Sequence, residues 1–324
     1  MESIRIIMRF SNDRIPEFVR EFYPNLGTIL STNTLFLQEN SETYKISTKK
    51  GQYVLHHNKF DSTKRIEKMC QILDEISKNN SKVIQLIKNK NNAFSENKCF
   101  LTKFKDGNKF SGTKKEFLDL ARNLSCLHSK LEKSNTEYSF RPNQNYYSFL
   151  TINEINKINK ILEKNKQLTK TEKIIRKNFL LIVNELERNS LYFFKNSAKK
   201  QIIHFDLHPG NVLFDKKSVN MFLDFNSMRY GHAVEDVIFS AFRFASQIDK
   251  NPIQIYKLIT LYLKKYYDEK IIYNKYDLEY FLIRSILYRI CFILKKYFFH
   301  HSTLWISDIQ NQLNYLKLAK KTFR

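Results

Sequence analysis

The chain has 324 residues, 42% of them hydrophobic, with 27 Phe and 18 Tyr; that is enough apolar material for a sizeable core and excludes a disordered chain. Lys and Arg outnumber Asp and Glu 55 to 32, a net charge of +23, but the basic residues are scattered and Gly (6) and Pro (5) are scarce. The charge therefore reads as a drift across the whole chain; it disfavours nucleic acid as the main partner and leaves a positive field suited to recruiting a nucleotide phosphate.

In chain order, Ile15 to Phe22 is a short amphipathic helix stopped by Pro24. Three strand-like runs follow, Thr34 to Gln38, Thr43 to Ser47 and Gln52 to His57, with turns at Glu39-Asn40-Ser41 and Thr48-Lys49-Lys50-Gly51, and together they predict an antiparallel meander. Ser62 to Ile76 carries Ile66, Met69, Ile72, Leu73 and Ile76 at helical spacing. Lys82 to Ile87 and Lys98 to Lys103 are strand candidates, and Asp106-Gly107-Asn108 is a turn. Beyond Gly107 the pattern is mostly helical. Lys114 to Leu131 has Phe117, Leu120, Leu124 and Leu127 on one face, and Ile152 to Leu191 is long, polar and helical. Lys200 to Tyr230 interrupts with two short β runs, after which Ala233 to the C-terminus is helical and rich in aromatics. Cys70, Cys99, Cys126 and Cys291 form no C-x-x-C pair and read as reduced core thiols. The apolar stretch Ile286 to Leu294 is broken by Arg289 and is too short to span a bilayer. No apolar run of signal-peptide length opens the sequence, so a soluble, cytoplasmic protein is expected.

The chemistry is concentrated in Ile202-Ile203-His204-Phe205-Asp206-Leu207-His208-Pro209-Gly210-Asn211-Val212-Leu213-Phe214, followed by Met221-Phe222-Leu223-Asp224-Phe225-Asn226. Phosphoryl transfer from ATP requires a carboxylate to take the proton of an attacking hydroxyl, and hard oxygen donors for magnesium. Asp206 fits the first role. Asn211, five residues on, offers an amide oxygen, and Asp224 lies beyond a hairpin from which it can reach the metal. The bland alternative is a loop with a capping Asp and an Asx turn.

His204-Phe205-Asp206-Leu207-His208-Pro209-Gly210-Asn211 with Asp224-Phe225 resembles the aminoglycoside phosphotransferase and choline kinase superfamily, small-molecule kinases with a protein-kinase-like fold. The resemblance is densest over residues 200 to 240 and collinear but weaker from about 35 to 130. It implies an α+β, two-lobed protein-kinase-like fold, with a small antiparallel-sheet lobe over residues 1–105 that binds nucleotide, and a mostly helical lobe over 106–324 for catalysis and substrate. Asp206 would be the catalytic base, Asn211 and Asp224 the magnesium ligands, and His204 a scaffold for the loop. His208 would either approach the transferring phosphate or shape the loop. Asp236 resembles the family's helix-start acid, a structural role.

In the nucleotide lobe the resemblance is looser. The turn over the phosphates holds no glycine, leaving Ser41 to offer its N–H and hydroxyl. The lysine expected after Tyr53-Val54-Leu55 is His56, so Val54 would line the adenine and His56 would face the phosphates, gripping them as an imidazolium. The alternative is an ordinary histidine and a catalytically weakened protein. Glu67 would orient that group, or be a solvated helix acid. Lys103 and Lys105 would read the adenine through their backbone. Lys59 is a rival phosphate cation; Lys45 is set aside because it lies on the opposite strand face from Tyr44 and Ile46. The expected reaction transfers the γ-phosphoryl group of ATP, with Mg²⁺, to a hydroxyl of a sugar, amino alcohol or aminoglycoside-like molecule. The alternatives are a non-catalytic nucleotide-binding scaffold and a basic nucleic-acid-binding protein. Tyr256, Tyr262, Tyr266, Tyr288, Phe298 and Trp305 on the C-terminal helices could box a quaternary ammonium, although aromatics at helical spacing more often pack in a core. A polycationic drug is disfavoured by the net charge.

Overall fold

The computed structural model describes residues 14–37, 41–134, 149–190, 200–268 and 275–323. These divide into two compact units. The first contains residues 14–109 together with 130–134 and 210–226; the second contains 110–129, the described residues of 149–209, and 227–323.

In the first unit, helix α1 (Arg14–Phe22) precedes a meander of β1 (Ile29–Leu37), β2 (Ser41–Thr48) and β3 (Gly51–Asn58). Helix α2 (Thr63–Ser77), capped by the Ser62 hydroxyl accepting from Arg65 N, leads to β4 (Leu86–Ile87), β5 (Ser95–Glu96) and β6 (Cys99–Lys103). The sheet order is β1-β2-β3-β6-β4, with β5 pairing β6, and the pairings are antiparallel. Period-two alternation puts Tyr44, Ile46, Tyr53, Leu55, Cys99 and Leu101 on one face, in a core with Ile15, Phe18 and Val19 of α1. Val54, His56, Phe100 and Thr102 take the other face.

The strands run longer than expected. Ser41 and Glu42 belong to β2, because the buried Glu42 carboxylate is satisfied by His57 Nδ1 at 3.1 Å and Lys59 Nζ at 2.6 Å, so a charged residue continues the buried alternation. Strand β1 begins at Ile29, five residues before the predicted Thr34, because it is a largely exposed strand whose polar residues hide its pattern. The predicted turn residues Glu39 and Asn40, and Gln38, lie outside the described residues.

The same unit includes the hairpin β8 (Val212–Asp215) and β9 (Ser218–Phe222), turned at Lys216 and Lys217, whose φ angles are +46° and +67°. It is fixed by paired bonds between Asn108 and Phe214, N to O at 2.8 Å in both directions, and by Phe222 N donating to Lys82 O at 2.8 Å. Gly107 permits this approach: a Cβ there would lie 2.8 Å from Leu213 Cβ.

The second unit is built from α3 (Lys114–Lys133, extending beyond the unit's edge), α4 (Ile152–Lys164), α5 (Lys170–Ser190), α6 (Ala233–Ile248), α7 (Pro252–Tyr266), α8 (Lys275–His300) and α9 (Ile309–Phe323), plus a small sheet of β7 (Lys200–Ile203) with β10 (Arg229–His232). The long helical stretch expected from Ile152 is divided into two helices, α4 and α5. Asn165 Oδ1 accepts from Gln167 N, and Thr169 and Glu172 form reciprocal side-chain-to-backbone bonds that start a new helix. The two β runs expected between Lys200 and Tyr230 are four strands, including β9 and β10. Cys70, Cys99 and Cys291 are buried, but Cys126 is exposed, since it sits off the α3 stripe of Leu120, Leu124 and Leu127. Among the described residues, no helix is long and apolar enough to cross a membrane.

Candidate active site

The residues singled out from sequence fall in both units. In the second, β7 delivers the loop His204 to His208. Phe205 has φ +67°, a left-handed conformation that a bulky side chain rarely adopts. Asp236, on the first turn of α6 and fully buried, holds it: Oδ2 accepts from His204 N and Oδ1 from Phe205 N, both at 2.9 Å. His128 of α3 lies 2.9 Å from the same Oδ2, and its other ring nitrogen lies 2.6 Å from the Tyr266 hydroxyl. Burial pushes the Asp236 pKa up, but the hydrogen bond and charge of His128, with His204, more than offset this and hold the carboxyl below its ordinary value.

The Phe205 ring is fixed as well. It packs on Phe239 and Tyr288, and the Arg229 guanidinium lies 3.1 Å from its centroid. Arg229 is held by Glu235 at 2.9 Å, and Glu235 also pairs with Arg284 at 3.0 Å. The His204 imidazole accepts from Asp206 N at 3.3 Å. Asp206 therefore extends from a loop fixed before and beneath it, with its side chain 13% exposed. His208 Nε2 is 3.9 Å from Asp206 Oδ2, beyond hydrogen-bond range. Burial, then the charges of Arg243, His204 and Arg289, push its pKa down to about 3, so the imidazole is neutral.

In the first unit, the β8–β9 hairpin brings the two candidate metal ligands to its open end. Leu223 N donates to Asn211 O at 2.9 Å, which puts Asp224 one residue past the position bonded to Asn211; the Asn211 residue is 8% exposed, while Asp224 is exposed. Asp224 has φ +52° and accepts from Asn226 N in an Asx turn. That turn is tied to α2: Arg65 donates from Nε to Asp61 at 2.8 Å and from Nη2 to Asn226 O at 3.0 Å, and Asn58 bonds Asp61 at 2.7 Å. The donors on offer, an amide oxygen and a carboxylate, suit a hard divalent cation.

On the sheet, His56 does not stand as a free imidazolium. Its ring stacks on Phe100 at 4.6 Å, its Nε2 lies 3.1 Å from Thr102 Oγ1, and burial lowers its pKa to about 4. Glu67 is not bonded to His56; it accepts from Phe94 N, Ser95 N and the Ser95 hydroxyl, holding the entry to β5. Lys59 pairs with Glu42, which belongs to the Tyr44 face, away from Val54. The register also corrects the case against Lys45. It pairs directly with Val54, and Thr43 with His56, so a face opposite to Tyr44 is the face of Val54 and His56. Lys45 is the lysine of β2 and β3 on that face, its ammonium 3.8 Å from the Phe104 ring centroid. Ser41, in register with Asn58, follows Thr43 and Lys45 on it. Of the residues expected to read adenine, Lys103 N already donates to Gln85 O, whereas Lys105 N makes no described bond.

Sequence reasoning did not find His128, Arg65 or Arg229, and it offered Tyr266 for an aromatic box, not as a partner of His128. Only His128 left a signal: it sits four residues after Leu124 on the buried stripe of α3.

No curated protein matches the sequence. Among solved structures, spectinomycin phosphotransferase bound to AMP superposes with a TM-score of 0.65 at 16% identity, covering 96% of this chain and 99% of that one. Amicoumacin kinase, solved with AMP-PNP and Ca²⁺, gives 0.62 at 12% identity, covering 97% and 94%. Choline kinase from Cryptosporidium parvum gives 0.57 at 14% identity, covering 96% of each. These likenesses establish the protein-kinase-like α+β fold. The sequence model of the phosphotransferase enzyme family matches residues 35–266, from within β1 to the end of α7, so the chain belongs to the phosphotransferase enzyme family, whose members are small-molecule kinases.

Proposed function

We propose that this kinase uses ATP with Mg²⁺, with Asp206 as the base and Asn211 and Asp224 as the metal ligands. The observation that supports the reading is the open end of the β8–β9 hairpin, where the Leu223 N to Asn211 O bond brings the backbones that bear Asn211 and Asp224 close together. In the reaction, the acceptor hydroxyl oxygen bonds the γ-phosphorus, its proton passes to the Asp206 carboxylate, and the bridging bond to the β-phosphate breaks to release ADP. A bound magnesium ion would neutralise phosphate charge. His204 keeps the loop in shape through Asp206 N. His208, neutral and beyond bonding range of Asp206, is a shaping residue in this reading.

On the nucleotide side, Val54 packs on the adenine, the Lys105 backbone reads its edge, Ser41 meets the phosphates, and Lys45 supplies the charge that His56 lacks. The described residues of 1–105 make up the nucleotide-binding part in this reading, and those of 106–324 the catalytic and substrate-binding part. Asp224→Ala is expected to abolish the Mg²⁺ dependence of ATP binding measured by calorimetry. Unaltered Mg·ATP affinity would remove Asp224 from the metal site.

A further inference from the structure

Two arginines of the second unit, Arg243 and Arg289, are set on the helices α6 and α8 that pack against the His204–His208 loop. Asp236, Phe239, Ser240 and Arg243 fall at i, i+3, i+4 and i+7 on α6, so Arg243 continues the face that holds the loop. Arg289 follows Tyr288, which packs against Phe205 from α8. Both guanidinium charges act on the His208 imidazole. Arg289 is seated: Nε is 3.3 Å from Asp308 Oδ2, the ring centroids of Trp305 and Phe292 are 4.7 and 5.5 Å away, and the side chain is 12% exposed. Gln312 donates to the same Asp308 oxygen.

Arg243 is different. Its guanidinium makes no hydrogen bond or ion pair among the described residues, and its Nε is buried without a partner. A partly buried, uncompensated guanidinium is costly, and a fixed pair of planar donors matches an oxyanion. An aromatic box for a quaternary ammonium finds little support: Tyr262 bonds Ser240, Tyr266 bonds His128, and both are buried, with Tyr288 and Phe298, in the core.

Resting on the kinase reading, we propose that Arg243 and Arg289 receive an acidic group of the phosphoryl acceptor, making the substrate an alcohol that carries a carboxylate or a phosphate ester. The acid docks on the guanidiniums and presents its hydroxyl towards Asp206. Charge then selects against cationic amino alcohols and polycationic drugs.

The chain has a single tryptophan, Trp305, and it stacks beside Arg289, so its fluorescence reports this site without any turnover. The wild type would be titrated with glycerate and glycerol, gluconate and glucose, glycerol phosphate, and choline. The acidic member of at least one pair should bind about tenfold or more tightly than its neutral counterpart, as loss of a charge-assisted bond implies; whether glycerate or glycerol phosphate binds tighter identifies the oxyanion. Arg243→Gln should erase the preference and Arg243→Lys should keep part of it, with the far-ultraviolet circular dichroism of both unchanged. Equal binding of acids and neutral alcohols, preference for choline, or an acid preference that survives Arg243→Gln overturns the proposal. So does a loss in Arg243→Gln of AMP-PNP affinity in place of acid affinity, which would assign the guanidinium to the nucleotide. Failure of Mg²⁺-dependent ATP binding would strike the kinase reading and leave these titrations standing.

Discussion

The His204–His208 loop and strand β3 each carry two histidines, and in the proposed reading both serve a phosphate, yet they are built on opposite principles. The loop is over-determined: a left-handed Phe205 is held by two bonds to Asp236, by Arg229 over its ring, and by Glu235 between two arginines. Strand β3 is under-determined for charge: where a cation is expected, His56 is stacked, hydrogen-bonded and neutral, and the acid expected to orient it holds β5. The difference follows from what each part supplies. A base must sit within a few tenths of an ångström of its proton, so its backbone is fixed by buried polar groups. Electrostatic attraction to a phosphate falls off slowly with distance, so a cation can move to a neighbouring strand.

The largest effect is expected where the over-determination is concentrated. Asp236→Ala leaves two buried backbone N–H groups and His128 without their acceptor, and should cost about 2–5 kcal/mol, at roughly 1–3 kcal/mol for each buried group left unsatisfied. Chemical denaturation with urea measures it. A loss under about 1 kcal/mol would mean that water replaces the carboxylate and the loop is not held as described. Next is Asp206→Asn, expected to cut turnover by about 10²-fold or more while Mg·ATP affinity holds, as befits a base that contacts only the acceptor. Steady-state ADP release checks this. Undiminished turnover would remove Asp206 from the reaction.

How much of this was legible beforehand follows the same division. The segment is legible because the proposed chemistry would need a carboxylate and oxygen ligands at short spacing between β runs, and Asp206, Asn211 and Asp224 supply that pattern. The resemblance also marks Asp236 as structural, but the pairings that hold the loop are not legible: Asp236 meets His128 across 108 positions and Arg65 meets Asn226 across 161, and no local period encodes such pairs. On the sheet, the alternation of Tyr53, Leu55 and His57 was readable, but the turn length that sets the β2–β3 register was needed to place Lys45 opposite Val54. The split between α4 and α5 was overlooked because a polar helix leaves only its caps as punctuation, here Thr169 and Glu172.

The register leads to a third test, of intermediate size. Lys45→Met keeps the stem over Phe104 and removes the charge, and should weaken Mg·ATP binding roughly tenfold, the worth of one charge-assisted hydrogen bond. His56→Gln should change it by less than about threefold, since a neutral ring gives little to a phosphate. Calorimetry on the two variants side by side would reverse the assignment if the histidine variant alone lost affinity.

The smallest expected effect concerns pH, and it separates two accounts of His56. Its pKa is lowered from 6.5 in the unfolded chain to about 4 in the fold by burial. The unfolded state therefore binds more protons between those values, and stability rises with pH across that window. The contribution is fully present above 6.5 and is lost as pH falls towards 4. His57 and His208 are also lowered and add the same sign, so the test is a difference: His56→Gln should show a shallower fall in stability over this interval than the wild type. Because the imidazole is neutral on both sides of neutrality, Mg·ATP affinity should stay level from 6.5 upward. An affinity that climbs as pH drops through 6.5, and loses that climb in His56→Gln, would show that the triphosphate draws a proton onto the ring, restoring to β3 the cation that Lys45 is held to replace.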